Sequence, residues 1–279
     1  MFHPRLWPET ARIDPRANPA KDAIAVYLLE LEIPVPVLLM PAYLSYLGNA
    51  EGERWRSIRT AERQWQYLQS RVLRRVVLGA YTERDPAQLH FARDDWGRTR
   101  LADHGALHFS LTQCASHVAI AVGSDAVLGI DAETIFPVRP RFMHIARAYF
   151  SSGDLAQLMS GPERHRYHSF LELWTLKQAY LKALEPGLHR QMAHCSFARA
   201  SGGLLVCQDH APEPGRAVPT SFYSERWSNS CQLALAYRAG LPVSFRYLNG
   251  NNMGQVWPHT QFGNGAPFHP AHEGPPLSS

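Results

Sequence analysis

Two long amphipathic helices are predicted from the spacing of apolar residues along the chain. Over residues 53–78, apolar side chains recur every three or four positions and arginines fill much of the remainder, so we expect one helix that ends at Gly79. Residues 163–184 follow the same pattern and precede a proline-glycine pair, which predicts a second long helix. Two shorter helices are predicted between them, over residues 140–150 and 151–160, the second with Ser151 or Ser152 as its N-terminal cap.

Short apolar runs bounded by turn-forming residues predict strands around these helices. We expect a strand and a turn over residues 89–99, and strands over residues 24–32, 107–112, 118–122, 127–133, 195–198, 203–207, 221–227 and 232–237. The order is strand, helix, strands, and then strand, helices, strands. It predicts an α+β fold with two similar α+β halves, each a small, mainly antiparallel sheet packed on a long helix.

The division of the chain follows from composition and from the order of the elements. Residues 1–22 contain several prolines and little periodicity, so we expect a loose N-terminal arm. The two halves are predicted over residues 23–125 and 126–243. From residue 244 onward the chain is rich in Gly, Pro, Asn and His, and the segment 244–279 is expected to be a tail of low order.

The composition narrows the class of protein. The chain has 279 residues, 45% of them hydrophobic and 19% charged, with a formal net charge of +4. It can bury a core, and its mildly basic balance favours an anionic partner. No dense basic stripe is present, so no nucleic-acid binding is expected. The apolar stretch 24–47 is interrupted by two glutamates and three prolines, so no membrane span is expected either.

The cysteines and the N-terminus favour a cytoplasmic protein. The four cysteines are widely spaced and form no C-x-x-C motif, which predicts reduced thiols rather than a zinc knuckle or a redox site. The first eight residues lack the basic start and apolar run of a secretion signal. Among the fourteen histidines no set is completed by a carboxylate, so no zinc site is expected.

A pair of carboxylates two residues apart carries the first candidate chemistry. Asp131 and Glu133 follow a strongly apolar run, and residues i and i+2 of a strand share a face. Two carboxylates on one face repel unless a cation lies between them, and Mg²⁺ suits hard oxygen ligands combined with phosphate. Gly129 permits a close approach of another backbone or a ligand. The alternative is a pair of solvated charges at a strand end.

A polar stripe on the second long helix carries the second candidate chemistry. Trp174, Gln178 and Lys182 lie four residues apart and therefore share one face. Lys182 is the candidate to neutralise phosphate oxygens, whereas Lys177 faces away and is expected to be structural. Trp174 is expected to belong mainly to the core.

Arginines offer further candidates for anion binding. Those of the first long helix either form a solvated face or capture a phosphate group. Arg98 follows a turn predicted over residues 95–97, where a short loop can present it to an anion. Neither a P-loop nor a dinucleotide-binding fingerprint is present.

Four motifs together resemble the Sfp-type 4′-phosphopantetheinyl transferases over about residues 24–240. They are Trp96-Gly97-Arg98, Phe109 to Cys114, Gly129 to Glu133 and Trp174 to Lys182. The last two are specific in this order and spacing. The resemblance implies a pseudo-dimer fold and transfer of the 4′-phosphopantetheine arm from coenzyme A to a serine of an acidic acyl or peptidyl carrier protein, with release of 3′,5′-ADP. It further implies Mg²⁺ as cofactor, coenzyme A as co-substrate and a monomer.

The same resemblance implies roles for individual residues. The implied metal ligands are Asp131, Glu133 and Gln178. The implied catalytic residues are Lys182, Gln178 and Glu133. The implied contacts to coenzyme A are Arg54, Arg98, Thr112, Gln113, Asp131 and Lys182. The segment over about residues 185–210 would face the carrier protein.

Two positions depart from the family's pattern. The family commonly carries W-x-x-K-E-A, and Gln178 stands at the acidic position, where it can offer an oxygen to a metal but cannot act as a base. Glu133 or a metal-bound hydroxide is the candidate substitute. Gln113 stands where the family often has a histidine and keeps a hydrogen-bond donor without a charge. Both departures keep open an alternative, a non-catalytic protein that binds coenzyme A or a carrier protein on the same scaffold.

Overall fold

The computed structural model describes residues 23–95, 97–184, 191–200, 203–210, 219–227 and 229–248. The strands within them are β1 (Ile24–Glu30), β2 (Phe91–Arg93), β3 (Thr99–Leu101), β4 (His108–Gln113), β5 (His117–Gly123), β6 (Leu128–Thr134), β7 (Cys195–Arg199), β8 (Leu205–Asp209), β9 (Thr220–Trp227), β10 (Cys231–Arg238) and β11 (Val243–Leu248). The α-helices are α1 (Met40–Ser45), α2 (Asn49–Ser57), α3 (Ala61–Thr82), α4 (Phe142–Tyr149), α5 (Ser152–Ser160) and α6 (Glu163–Ala183).

The first sheet has the strand order β11-β1-β5-β4. Its pairs are antiparallel except that β11 lies parallel to β1, with Ile24 opposite Val243. The strand β11 therefore occupies the start of the segment 244–279, where we expected low order. It alternates Val, Phe and Tyr with Ser, Arg and Leu, and the free edge of β1 supplies its hydrogen-bond partners. Residues 249–279 and the expected arm 1–22 lie outside the described residues.

The first long helix is two helices, contrary to the prediction of one helix over residues 53–78. The backbone of Ile58 is extended (φ −75°, ψ 126°) and separates α2 from α3. Glu51 of α2 forms ion pairs with Arg74 and Arg75 of α3, and both guanidinium groups are buried. The break lets α2 fold back so that these charges meet.

Gly79 does not end the helix as predicted, because it serves a packing contact instead. A Cβ atom there would lie 2.9 Å from the carbonyl oxygen of Arg84. The helix α3 continues past it to Thr82, and Glu83, the next residue, adopts a left-handed conformation (φ 54°).

The second sheet is antiparallel, with the order β6-β10-β9, and α6 packs against it. Ser151 caps α5, since its hydroxyl accepts a hydrogen bond from the Asp154 amide at 3.1 Å, as the sequence predicts. The hairpin β7–β8 lies next to the same core.

The two sheets face one another, and a long helix covers the outer side of each. Val26 and Leu28 of β1 meet Ile130 of β6 and Leu235 of β10 in the core between the sheets. The helix α3 packs on the opposite face of the first sheet, and α6 on that of the second. This is the predicted α+β class; the two-fold likeness of the halves stays a prediction. No helix in the described ranges is both long and apolar enough to cross a bilayer.

Candidate active site

The helix α6 lies directly against β6 because Gly129 has no side chain. A Cβ atom at Gly129 would lie 2.0 Å from the carbonyl oxygen of Ala179 and 2.7 Å from the amide nitrogen of Ala183. The two-residue alternation of β6 turns Asp131 and Glu133 to the same side as Gly129, toward α6. The close packing therefore places both carboxylates beneath the helix that carries the predicted polar stripe.

Asp131 is held by a lysine and a hydroxyl group. Lys182 Nζ lies 2.7 Å from Asp131 Oδ1 and 2.9 Å from the carbonyl oxygen of Ile130. Thr112 of β4 donates a hydrogen bond to the same Oδ1 at 3.3 Å. Burial raises the pKa of Asp131, and the Lys182 ammonium partly offsets this effect. The Lys182 side chain remains 34% exposed, so its charge is open to a solvent-borne anion.

Glu133 is held by two donors on its two carboxylate oxygens. Trp174 Nε1 donates to Oε1 at 3.1 Å, and Arg139 Nη2 donates to Oε2 at 2.5 Å. Burial raises the pKa of Glu133, Arg139 acts in the opposite direction, and the charge of Asp131 raises it again. Trp174 thus joins the site through its ring nitrogen while its rings pack against Phe150 and Phe170.

The polar stripe of α6 faces the two carboxylates. Trp174 contacts Glu133 and Lys182 contacts Asp131, and Gln178 lies one helical turn from each. Lys177 lies elsewhere, as expected: it is fully buried and pairs with the buried carboxylate of Asp154 at 2.6 Å.

A basic pocket of about 630 Å³ lies beside α2, α3 and the end of β4. The lining of this pocket contains no carboxylate. It includes Gln113 and four arginines, namely Arg54, Arg59, Arg63 and Arg71. Gln113 follows Thr112, the partner of Asp131, so β4 contributes one residue to the pocket and the preceding residue to the carboxylate site. Ile58, where the predicted helix breaks, also lines the pocket. The arginines of α2 and α3 therefore fall into two groups. Some guanidinium groups face this pocket, whereas Arg74 and Arg75 pair with Glu51 in the interior.

Arg98 reaches the end of the same helix. Gly97 has a φ of +78°, as a turn glycine requires, and Arg98 Nη2 donates to the carbonyl oxygen of Leu184 at 2.6 Å. Leu184 lies two residues beyond Lys182. Arg98, the predicted anion ligand, thus lies at the end of α6, where it donates to a carbonyl group. Trp96 of the same motif lies outside the described residues.

The oxygen atoms at this site suit a hard divalent cation. Two carboxylates share one strand face and the amide of Gln178 lies on the facing stripe, which is the donor chemistry that Mg²⁺ prefers. Lys182 and Arg139 balance these carboxylates in the structure, so the site already attracts positive charge. The residues present therefore fit the cation that the resemblance implies. Sequence reasoning missed Arg139, which lies in a loop that returns to β6.

Comparisons with known proteins match the part of the chain that contains this site. A family model described as the 4′-phosphopantetheinyl transferase superfamily matches residues 127–235, the segment that contains β6, α6 and most of β10. The chain is 26% identical over 201 residues to a putative 4′-phosphopantetheinyl transferase of Synechocystis sp., covering 71% of this chain and 76% of the relative. It is 23% identical over 163 residues to 4′-phosphopantetheinyl transferase Sfp of Bacillus subtilis, covering 58% of this chain and 71% of the relative.

The matched segment contains the site and indicates the class of protein that the chain resembles. Over residues 127–235 the chain is similar to the 4′-phosphopantetheinyl transferase superfamily. Within this superfamily it is similar to the Sfp-type members, which include 4′-phosphopantetheinyl transferase psf-1 of Bacillus pumilus, 29% identical over 146 residues that cover 52% of this chain and 60% of that relative.

Proposed function

We propose that this protein transfers the 4′-phosphopantetheine arm of coenzyme A to a serine hydroxyl of an acyl or peptidyl carrier protein and releases 3′,5′-ADP. The observation that supports it best is the convergence of Asp131, Glu133 and Lys182 at one site, and the arginine-lined pocket beside β4 offers a further surface for phosphate. Carboxylates for a cation and a lysine for phosphate oxygens are the groups that phosphoryl transfer needs.

Lys182 and the pocket would bind the coenzyme. The ammonium of Lys182 neutralises diphosphate oxygens as negative charge shifts toward the leaving group. Arg54 and its neighbours in the pocket bind further phosphate, and Gln113 supplies a neutral hydrogen-bond donor. Arg98 adds positive charge at the end of α6, and Thr112 holds Asp131 in place.

The reaction exchanges one phosphorus–oxygen bond for another. The serine oxygen attacks the phosphorus that bears the pantetheine arm, the bond from this phosphorus to the 3′,5′-ADP oxygen breaks, and the serine proton passes to Glu133. Burial raises the pKa of Glu133, which favours its role as a proton acceptor. Asp131, Glu133 and Gln178 would hold Mg²⁺, which, when bound, supplies charge stabilisation at the diphosphate.

Charge would also select the carrier protein. A net charge of +4 favours an acidic partner through electrostatic steering. Within the segment 185–210, proposed to face the carrier, the described parts form the hairpin β7–β8. We further propose a cytoplasmic monomer without a nucleic-acid or membrane partner.

A mass measurement tests this proposal. The full chain is incubated with coenzyme A, Mg²⁺ and a panel of apo carrier proteins, and each carrier is weighed. A gain equal to one phosphopantetheine arm on at least one carrier is expected, and it should disappear when the acceptor serine is replaced by alanine. No gain on any carrier would overturn the transferase assignment.

The second candidate is a non-catalytic protein that binds coenzyme A or a carrier protein. Gln178 and Gln113 favour it, because amides stand where an acid and a basic ring would assist the reaction. Calorimetry separates the two functions: tight binding of coenzyme A without any mass gain on a carrier supports the second.

A further inference from the structure

Three soft metal ligands lie together in the interior and take no part in the proposed transfer. Cys114, His117 and Cys231 are 9%, 1% and 0% exposed. One ligand atom from each lies within 4.8 Å of the others. We propose that these three side chains bind a zinc ion that joins the β4–β5 turn to the start of β10.

The spacing of the two sulfur atoms supports a tetrahedral site. Cys114 Sγ and Cys231 Sγ lie 3.9 Å apart. Two zinc–sulfur bonds of about 2.3 Å at a tetrahedral angle place their sulfur atoms about 3.8 Å apart. A disulfide requires about 2.05 Å. The two thiols are thus placed to share a metal without further movement.

The histidine supplies the third ligand and carries an unsatisfied atom. Its Nε2 is buried without a hydrogen-bond partner in the described part of the chain. Its Nδ1 lies 2.9 Å from Ser116 Oγ, the kind of outer contact that orients a metal-bound imidazole. A water molecule would take the fourth position.

The ligand chemistry selects zinc over the magnesium proposed for the neighbouring site. Thiolate and imidazole are soft ligands that favour zinc, whereas Mg²⁺ requires oxygen. Two thiolates and one Zn²⁺ also sum to zero charge, which suits a buried position.

The position of the cluster gives the metal a structural role. Cys114 and His117 begin and end the turn between β4 and β5, and the Cys114 amide bonds the His117 carbonyl oxygen at 2.9 Å. Cys231 opens β10 in the second sheet, opposite Thr134 of β6. A bound zinc would therefore tie the first sheet to the second, close to Thr112 and Asp131. Sequence reasoning missed this site because Cys231 is 117 positions from Cys114.

Cobalt substitution and X-ray absorption test the proposal. The full chain is reduced, freed of metal with a chelator and titrated with Co²⁺, and zinc is then added. One equivalent of Co²⁺ should give sulfur-to-metal charge-transfer absorption and the visible bands of a tetrahedral ion, and zinc should displace it. X-ray absorption of the zinc-loaded wild-type chain should show two sulfur neighbours and at least one nitrogen neighbour.

Variants identify the ligands. Cys114→Ser and Cys231→Ser should lose the charge-transfer band and raise the zinc Kd by at least about 100-fold. Cys207→Ser, at a half-buried cysteine outside the cluster, should behave as wild type. Zinc binding unchanged in both ligand variants would overturn the proposal. If those variants unfold, the wild-type absorption spectrum decides alone, and fewer than two sulfur neighbours is the negative result. No step of the proposed transfer uses these groups, so the two proposals can fail separately.

Discussion

The ammonium of Lys182 bridges two consecutive residues of β6, at 2.9 Å from the Ile130 carbonyl oxygen and 2.7 Å from Asp131 Oδ1. This bridge fixes the lysine over the carboxylates while a third of its side chain stays exposed. The charge is therefore preorganised beside the buried Asp131 and stays accessible to a phosphate group.

Replacing this lysine should remove transfer but leave the fold intact. We expect Lys182→Met to lower kcat by roughly 10²–10³-fold, as loss of a preorganised charge at a reacting group does. Stability should fall by only about 1–2 kcal/mol, since the buried Asp131 can bind a proton. The measurement is the rate of carrier modification with saturating coenzyme A. Arg199→Met, which removes an exposed ion pair with Glu172, is the control and should keep the wild-type rate.

The other lysine of α6 should behave in the opposite way. Lys177 and Asp154 are both fully buried, so Lys177→Met leaves a carboxylate without its partner. We expect a loss of about 3–5 kcal/mol in the free energy of unfolding, measured by urea denaturation. The double variant Lys177→Met with Asp154→Leu should recover part of that loss. Equal stability of the single and double variants would show that the pair does not matter.

A methyl group at Gly129 should separate α6 from β6. The added Cβ would collide with the backbone of Ala179 and Ala183, so the helix must move and take Lys182 with it. Gly129→Ala should cost at least about 1–3 kcal/mol and should also lower the transfer rate. Gly105→Ala is the matched control, because a Cβ there meets nothing within 4 Å. Thermal unfolding and the carrier assay should leave the control at wild-type values.

A carboxylate at position 178 should strengthen the metal site. Gln178→Glu adds a third negative charge on α6, between Lys182, which contacts Asp131, and Trp174, which contacts Glu133. The added carboxylate can also act as a base. We expect tighter Mg²⁺ binding by calorimetry and a transfer rate at least about tenfold higher, below the upper range of general-base catalysis. Gln178→Met, similar in size without an oxygen, should weaken magnesium binding. A slower Gln178→Glu enzyme would contradict the assignment of this residue to the site.

Coenzyme binding should depend on the arginines of the pocket. Arg63→Ala removes one charge from the lining, and we expect the Kd for coenzyme A to rise several-fold, with a weaker dependence on salt. Arg84→Ala removes an exposed guanidinium group that pairs with Asp103 outside the pocket, so it should leave the Kd unchanged. Isothermal titration at two salt concentrations measures both effects.

The elements that could be predicted are those whose faces follow from local periodicity. Alternate side chains of β6 share one face of the strand, and side chains four residues apart share one face of α6. The contact between Asp131 and Lys182 could therefore be predicted from two short motifs. The cap at Ser151 is equally local.

The features that escaped prediction depend on distant partners. Residues on both sides of Ile58 form helices well, and the break follows from the pairing of Glu51 with Arg74 and Arg75. The contact of Arg139 with Glu133 comes from a loop whose path no periodicity describes. These two tertiary contacts shape the pocket and the carboxylate site, which explains why the motifs alone located the chemistry but not its surroundings.

The parallel pairing of β11 with β1 affects how the chain can be made. Ser244 Oγ donates to the Ile24 carbonyl oxygen at 3.5 Å, across 220 positions of sequence. During translation, the edge of β1 stays open until this last described strand has left the ribosome, and an open edge can recruit foreign strands. A gene fragment that stops after the first half would encode a sheet in which one edge of β1 lacks its partner strand. We therefore expect that the two halves must be synthesised as one polypeptide.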